Sequence, residues 1–144
     1  MLDTLSTIEL SERTWAAVPS RANLPCDERE FFAARGAAGS FCESRRQYVR
    51  IHMREIGVLV RGDECHAIYT KDASPKGVAL LSPVQLFPMD RVKVLIDDQA
   101  VLELDVRRCH RVGPQCYECG TTFAEGIIPP GMYKRLITSH SSRH

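Results

Sequence analysis

The chain has 144 residues, of which 44% are hydrophobic and 26% are charged, a composition typical of one globular domain. Its 19 Lys and Arg residues nearly balance 18 Asp and Glu residues, so the formal net charge is +1. This balance excludes a protein-wide positive field for nucleic acid or an anionic membrane, so any anion site must be local.

Two features of the sequence bear on its location. The first 15 residues lack the basic and apolar regions of a signal peptide, and no apolar run approaches the roughly 18 residues of a transmembrane helix. We therefore expect a cytoplasmic protein without membrane insertion. The six cysteines are then expected to be reduced thiols rather than a disulfide framework.

Residues 1–40 differ from the rest of the chain and predict a partly helical N-terminal extension. The stretch "ERTWAAV" is compatible with a short helix. A second short helix is predicted after Asp27, a suitable N-cap, with Gly36 as its stop. Trp15, Phe31 and Phe32 are expected to pack rather than to form a ligand platform. The extension is either a regulatory segment or a cover for the following domain.

Residues 41–127 predict a mainly β domain. From Tyr48 onward, apolar and polar residues alternate as they do in strands. Turn signals at Arg61–Glu64, at Asp98–Gln99 and at Gly113–Gln115 separate runs of apolar residues. Six or so short strands at a spacing of about ten residues indicate a small antiparallel barrel or sandwich.

The hairpin after Arg91 shows the alternation most clearly. Val92, Val94 and Ile96 share one face of its first strand, and Leu102, Leu104 and Val106 share one face of its second. The final region, 128–144, predicts a C-terminal helix and tail, with Pro130 near the helix start.

Cys116-x-x-Cys119, with Cys109 and His110 nearby, raises the alternative of a zinc site. A strand through this segment argues against it, because residues three apart then point to opposite faces. There is also no second Cys-x-x-Cys pair in the sequence. Small core or surface thiols are therefore the favoured interpretation.

Two short motifs carry the functional hypothesis. The arginine half is Arg46-x-x-x-Arg50, and the turn half is Asp72-x-Ser74-x-x-Gly77, which follows after 21 intervening residues. Arginine forks bind phosphate or the guanine O6/N7 edge through paired hydrogen bonds. The turn offers a carboxylate, a hydroxyl and backbone N–H groups. Taken separately, the two halves are also compatible with solvated strand charges and a plain turn.

Together, the two halves at this spacing resemble the signature of the PilZ domain family, RxxxR followed by [D/N]xSxxG. The likeness covers about residues 41–125 and includes a Gly-x-x-Phe element at Gly120 to Phe123. The resemblance implies a six-stranded antiparallel PilZ-type barrel, often with a C-terminal helix. It also implies a bacterial receptor for the second messenger cyclic di-GMP that is not an enzyme and has no cofactor.

The resemblance also implies a role for each residue of the signature. Arg46 and Arg50 would bind phosphates and guanine edges from a flexible lead-in, which Arg45 extends with a less constant role. Asp72 and Ser74 would contact base and phosphate, and Gly77 would allow the turn and a close approach. The ligand often binds such sites as an intercalated dimer, and the signal passes to an effector protein that the sequence does not identify.

Other functions remain as alternatives. Some members of the family lack the signature and act as protein-interaction adaptors that bind no nucleotide. A small barrel for single-stranded nucleic acid is disfavoured by the low net charge and by the lack of clustered aromatic residues. No common catalytic motif appears in the sequence, and lone histidines such as His52, His66 and His110 are not expected to be catalytic.

Overall fold

The structure, a computed structural model, describes residues 18, 20–35, 50–96 and 100–141. A seven-stranded sheet has the order β1-β3-β2-β5-β6-β7-β4, and additional pairing of β3 with β4 closes six of these strands into an antiparallel barrel. The predicted barrel is confirmed, and the sandwich alternative is not. The elements in chain order are α1 (Glu28–Ala33), β1 (Ile51–His52), β2 (Ile56–Arg61), β3 (Glu64–Ala73), β4 (Val78–Ser82), β5 (Arg91–Ile96), β6 (Ala100–Gly113), β7 (Cys116–Phe123) and α2 (Pro130–Ser141).

β1 and β2 pair one after the other with the same side of β3, with an interruption between them. His52 of β1 faces Asp72, and Ile56 of β2 faces Tyr69. Between them, the Thr70 hydroxyl donates to Met53 O at 2.5 Å and accepts from Glu55 N at 2.9 Å. A side chain therefore replaces part of the backbone ladder. The strand expected from Tyr48 is shorter than predicted over the described residues, and Tyr48 itself lies outside them.

The barrel interior is filled by alternate residues of the strands. The predicted faces of the β5–β6 hairpin are confirmed, since Val92, Val94, Ile96, Leu104 and Val106 are all buried and Leu102 packs against them. A closed barrel leaves little room for the interior to collapse, so one Leu→Ala change there is expected to cost about 2–5 kcal/mol.

α1 begins where the sequence predicts. The Asp27 carboxylate accepts from Arg29 N at 3.4 Å, and two glutamates occupy the first turn, where the helix dipole favours negative charge. The helix ends at Ala33, because Ala34 is already extended. The predicted stop at Gly36 lies outside the described residues, as do Trp15 and the predicted helix at "ERTWAAV".

The extension is packed against the barrel where it is described. Ala22 N donates to Ala67 O at 3.0 Å, and Ala67 N donates to Ser20 O at 2.7 Å. This short bridge continues the sheet along β3 beyond the part that pairs with β4. An outer cluster forms beneath it from Ala22, Phe31, Tyr69, Leu81 and Cys116. Residues 20–35 are therefore a cover for one outer face of the barrel.

The cysteines of the Cys-x-x-Cys pair lie on different sides of β7, as the strand pattern predicts. Cys116 belongs to the outer cluster, whereas Cys119 is part of the barrel core. In the described part of the chain, no three His, Cys, Asp or Glu side chains form a group that could hold a metal ion. Within the same residues, no helix is both long enough and apolar enough to cross a bilayer.

Candidate functional site

The turn half of the signature lies where β3 ends. Ala73 faces the barrel core, so its neighbours Asp72 and Ser74 point to the outer side, because strand side chains alternate. Both are nonetheless buried. The reason for the burial of Asp72 is that β3 has neighbours on both sides there, with His52 facing it from β1 and Ala79 from β4.

The four residues from Ser74 to Gly77 form a tight turn between β3 and β4. Ser74 N donates to Gly77 O at 2.9 Å, and Gly77 N donates to Ser74 O at 3.3 Å. The Ser74 hydroxyl oxygen accepts from Lys76 N at 3.2 Å. Within the described residues, the hydroxyl hydrogen has no acceptor.

The rest of the protein holds this turn from outside. The carbonyl of Lys76 accepts from Phe123 N at 2.9 Å, and the carbonyl of Pro75 accepts from Ile128 N at 3.0 Å. The turn therefore joins β3 and β4 to the end of β7 and to the segment before α2. Its backbone is fixed before any ligand arrives.

Glycine is required at position 77 because the backbone of β7 passes close to it. A Cβ atom at this position would lie 1.9 Å from Thr121 O and 2.8 Å from Thr121 C, far inside van der Waals contact. The backbone of Gly77 is not in the left-handed region, so space rather than conformation demands glycine. Close approach of a ligand to Gly77 stays a prediction.

Arg50 brings the arginine half to the turn half. Its Nε donates to Asp72 Oδ1 at 2.5 Å, and the side chains are only 17% and 11% exposed. The two halves, which are 22 positions apart in the chain, thus meet at one ion pair. Arg45 and Arg46 lie outside the described residues, so their place at the site stays a prediction.

Tyr133 of α2 completes the site, and the sequence motifs do not include it. Its hydroxyl donates to Ala73 O at 3.1 Å, between the two outward side chains of the turn half. Burial raises the pKa of Tyr133, Asp72 raises it further, and Arg50 partly opposes this shift. Because Ala73 directly follows Asp72, the hydrogen bond places the phenol close to the Arg50–Asp72 ion pair.

His52 stands next to Asp72 on the same outer surface. Burial lowers the pKa of His52, and the positive charges of Arg54 and Lys71 lower it further, while Asp72 opposes them. Arg54 Nη2 lies 3.1 Å from His52 Nδ1. An arginine can only donate, so Nδ1 accepts and the imidazole is neutral in this arrangement.

Arg54 links the site strand to the N-terminal extension, a role that the sequence did not indicate. Its Nε donates to Lys71 O at 2.8 Å and its Nη1 donates to Phe31 O at 3.3 Å. Its guanidinium carbon lies 4.3 Å from the centroid of the Phe31 ring, within the range of a cation–π contact. Because Lys71 directly precedes Asp72, the Arg54 side chain connects α1 to the strand that carries the site.

The arrangement has the chemistry of an anion and base-edge site. Arg50 uses only Nε on Asp72, so its two terminal nitrogens have no described partner among the residues of the structure. Asp72 likewise engages one carboxylate oxygen, which leaves the other as an acceptor for N–H groups. Ser74 adds a hydroxyl donor on the same side.

The chain belongs to the PilZ domain family. The family model for the PilZ domain matches residues 44–137, more than half of the chain. PilZ domains are a receptor family for cyclic di-GMP, and they generally act as receptors or adaptors rather than as enzymes. A search of the curated proteins finds no significant match to this chain.

Proposed function

We propose that this protein is a bacterial, cytoplasmic receptor that binds cyclic di-GMP and passes the signal to an effector protein, without catalysis of its own. The observation that carries the proposal is the Arg50–Asp72 contact, which joins the two halves of the signature at one point on the barrel. The proposed ligand contacts are Arg45, Arg46, Arg50, Asp72, Ser74 and Gly77.

The donors and acceptors suit a cyclic dinucleotide of guanine. The terminal nitrogens of Arg50, which have no partner among the described residues, match the O6 and N7 acceptors of guanine or two phosphate oxygens. The Asp72 carboxylate matches the N1–H and N2–H donors of guanine. Each charge-assisted hydrogen bond contributes on the order of 1.5–3 kcal/mol. An intercalated ligand dimer would concentrate negative charge beside the arginines of the lead-in.

Signal relay would run through the N-terminal extension. Arg50 follows the lead-in directly, and Arg54 contacts α1 through Phe31. Binding that orders the arginine half against the barrel would therefore act on both ends of the segment between α1 and β1, an order–disorder type of switch. Hydrogen exchange with and without ligand tests this relay, and unchanged protection of residues 28–33 would contradict it.

The direct test is isothermal titration calorimetry of the full chain with cyclic di-GMP, with GTP and cyclic GMP as controls. Selective, saturable heat is expected for cyclic di-GMP alone. A stoichiometry near two ligands per chain would support the intercalated dimer, and one ligand per chain would support single occupancy. Absence of heat at high ligand concentration would overturn the receptor proposal.

The second candidate is an adaptor that uses the same barrel only to bind another protein. The loop between β4 and β5 favours it, because Phe87 and Met89 are 53% and 87% exposed there. Large apolar side chains exposed together are typical of a contact surface for a partner. Failure of calorimetry, combined with capture of a partner that depends on Phe87 and Met89, would support this candidate.

A further inference from the structure

The sequence groups Cys116 with Cys119, but the fold gives Cys119 a different neighbour. Cys109 of β6 is the direct cross-strand partner of Cys119 of β7. The Cys119 Sγ lies 3.0 Å from the Cys109 Sγ. Cys116 belongs to the outer cluster on the other side of the barrel wall. The two cysteines that are placed to react with each other are therefore Cys109 and Cys119.

The backbone geometry of this pair allows a covalent bond. Residues directly opposite in an antiparallel pair have Cα atoms about 4.5 or 5.5 Å apart, depending on the kind of pair. Both values fall within the range of about 4.4–6.8 Å found across disulfides. The sulfur atoms need to approach by about 1 Å to reach a bond length of about 2.05 Å. Rotation of the side chains supplies this movement, and the strands can stay paired as they are.

The two sulfurs differ in access. Cys109 is half-buried, and its sulfur accepts from Leu86 N at 3.4 Å. Cys119 is fully buried, and burial raises its pKa, as do the hydrogen bond and the charge of Cys109. Cys109 is thus the sulfur that a small reagent meets first, and Cys119 is the thiol placed to react second.

We propose that Cys109 and Cys119 form a reversible cross-strand disulfide when the protein meets a hydroperoxide. The Cys109 sulfur attacks the peroxide, its proton leaves with the displaced oxygen as water, and a sulfenic acid results. The Cys119 sulfur then attacks the Cys109 sulfur and expels a second water formed from the sulfenic hydroxyl and the Cys119 proton. Two thiols and one hydrogen peroxide thus give one disulfide and two waters.

The bond would lie one strand away from the proposed nucleotide site. Cys119 faces Leu80 of β4 on its other side, and the neighbouring Ala79 faces Asp72. Oxidation would therefore tie β6 to β7 beside the wall that carries the turn half. The proposal does not depend on nucleotide binding, so the two can fail separately.

The test uses the full chain, fully reduced and then treated with hydrogen peroxide. Acid quenching, alkylation of free thiols in denaturant and peptide mass mapping then locate each bond. We expect a Cys109–Cys119 linked peptide with the loss of two hydrogen atoms, and its disappearance after treatment with dithiothreitol. Cys116 should remain alkylatable over the same time, with a loss of its thiol at least tenfold slower.

Matched variants sharpen the result. Cys109→Ser should abolish the linked peptide, whereas Cys116→Ser should leave its rate of formation unchanged. A bond between Cys116 and Cys119, or intact thiols at Cys109 and Cys119 while Cys26 and Cys65 oxidise, would overturn the proposal. The mapping of the wild-type chain decides the question even if a variant does not fold.

Discussion

The two halves of the signature are held by different means. In the turn half, Gly77 packs against the β7 backbone, and the carbonyls of Pro75 and Lys76 accept hydrogen bonds from outside the turn. In the arginine half, the described anchor of Arg50 is one ion pair to Asp72. The turn half is thus part of the barrel itself, whereas Arg50, the described residue of the arginine half, is held by a side-chain contact.

This difference separates stability from affinity within one motif. Changes in the turn half should damage the fold whether or not a ligand binds. Changes in the arginine half should act mainly on ligand binding, although removal of Arg50 also leaves the buried Asp72 without its ion-pair partner. A loss of binding after mutation of Gly77 would therefore not identify a ligand contact, whereas the same loss at Arg50, in a variant that keeps the stability of the wild type, would do so.

The largest effect is expected for Gly77→Ala. The added methyl would overlap Thr121 O, so β4 or β7 must move, at a cost of about 3 kcal/mol or more in the free energy of unfolding. Urea denaturation measures this change. Gly113→Ala is the matched control, because a Cβ there meets nothing within 4 Å. Equal stability of the two variants would show that the turn half is not fixed by this contact.

Arg50→Ala tests the other half. We expect at least a tenfold weaker Kd for cyclic di-GMP, equivalent to about 1.4 kcal/mol, because the terminal nitrogens of Arg50 would be lost from the site. Arg91→Ala is the control, since Arg91 forms a comparable 2.9 Å ion pair with Asp105 but is exposed on the barrel surface. Calorimetry should find its Kd unchanged. Unchanged affinity in Arg50→Ala would show that Arg50 does not contact the ligand.

Arg54→Ala tests the contact between the site strand and the extension. The variant loses hydrogen bonds to Lys71 O and Phe31 O and the stacking on Phe31. We expect roughly tenfold lower hydrogen-exchange protection in α1, a change of about 1.4 kcal/mol, with little change in β5. Arg61→Ala, whose partners lie away from α1, is the control. Equal protection of α1 in both variants would show that Arg54 does not stabilise the extension.

The smallest expected effect is the pH dependence from His52. Its folded-state pKa lies below the ordinary value of 6.5, so the unfolded chain binds the proton more readily. His52 therefore contributes stability above about pH 6.5 that is lost as the pH falls through its lowered pKa. As the pH is lowered from about 7.5 to about 5, the Tm of His52→Gln should fall less steeply than the Tm of the wild type. Parallel curves would contradict this assignment.

The sequence predicted the local elements well where one physical rule dominates. Alternating apolar residues identified the β5–β6 hairpin and its buried face, and Asp27 and Pro130 marked the starts of α1 and α2. The strand pattern also placed Cys116 and Cys119 on opposite faces. Two predictions on the details were different in the structure: β1 is only two residues long, and α1 ends at Ala33 rather than at Gly36.

The contacts that complete the site could not be predicted in this way. The hydrogen bond from Tyr133 to Ala73 spans 60 positions, and the contact of Arg54 with Phe31 spans 23. No local sequence pattern predicts contacts between residues so far apart along the chain. Both depend on how closure of the barrel places α2 and the extension against the outer wall.

The sequence by itself determined the family, the antiparallel strands, the buried faces and the residues of the signature, because strand periodicity and turn chemistry are local properties. Only the tertiary structure decided that Arg50 meets Asp72, that Gly77 is required by the β7 backbone and that Cys119 faces Cys109. These facts follow from which strands become neighbours when the barrel closes, and strand neighbours are set by packing over the whole chain.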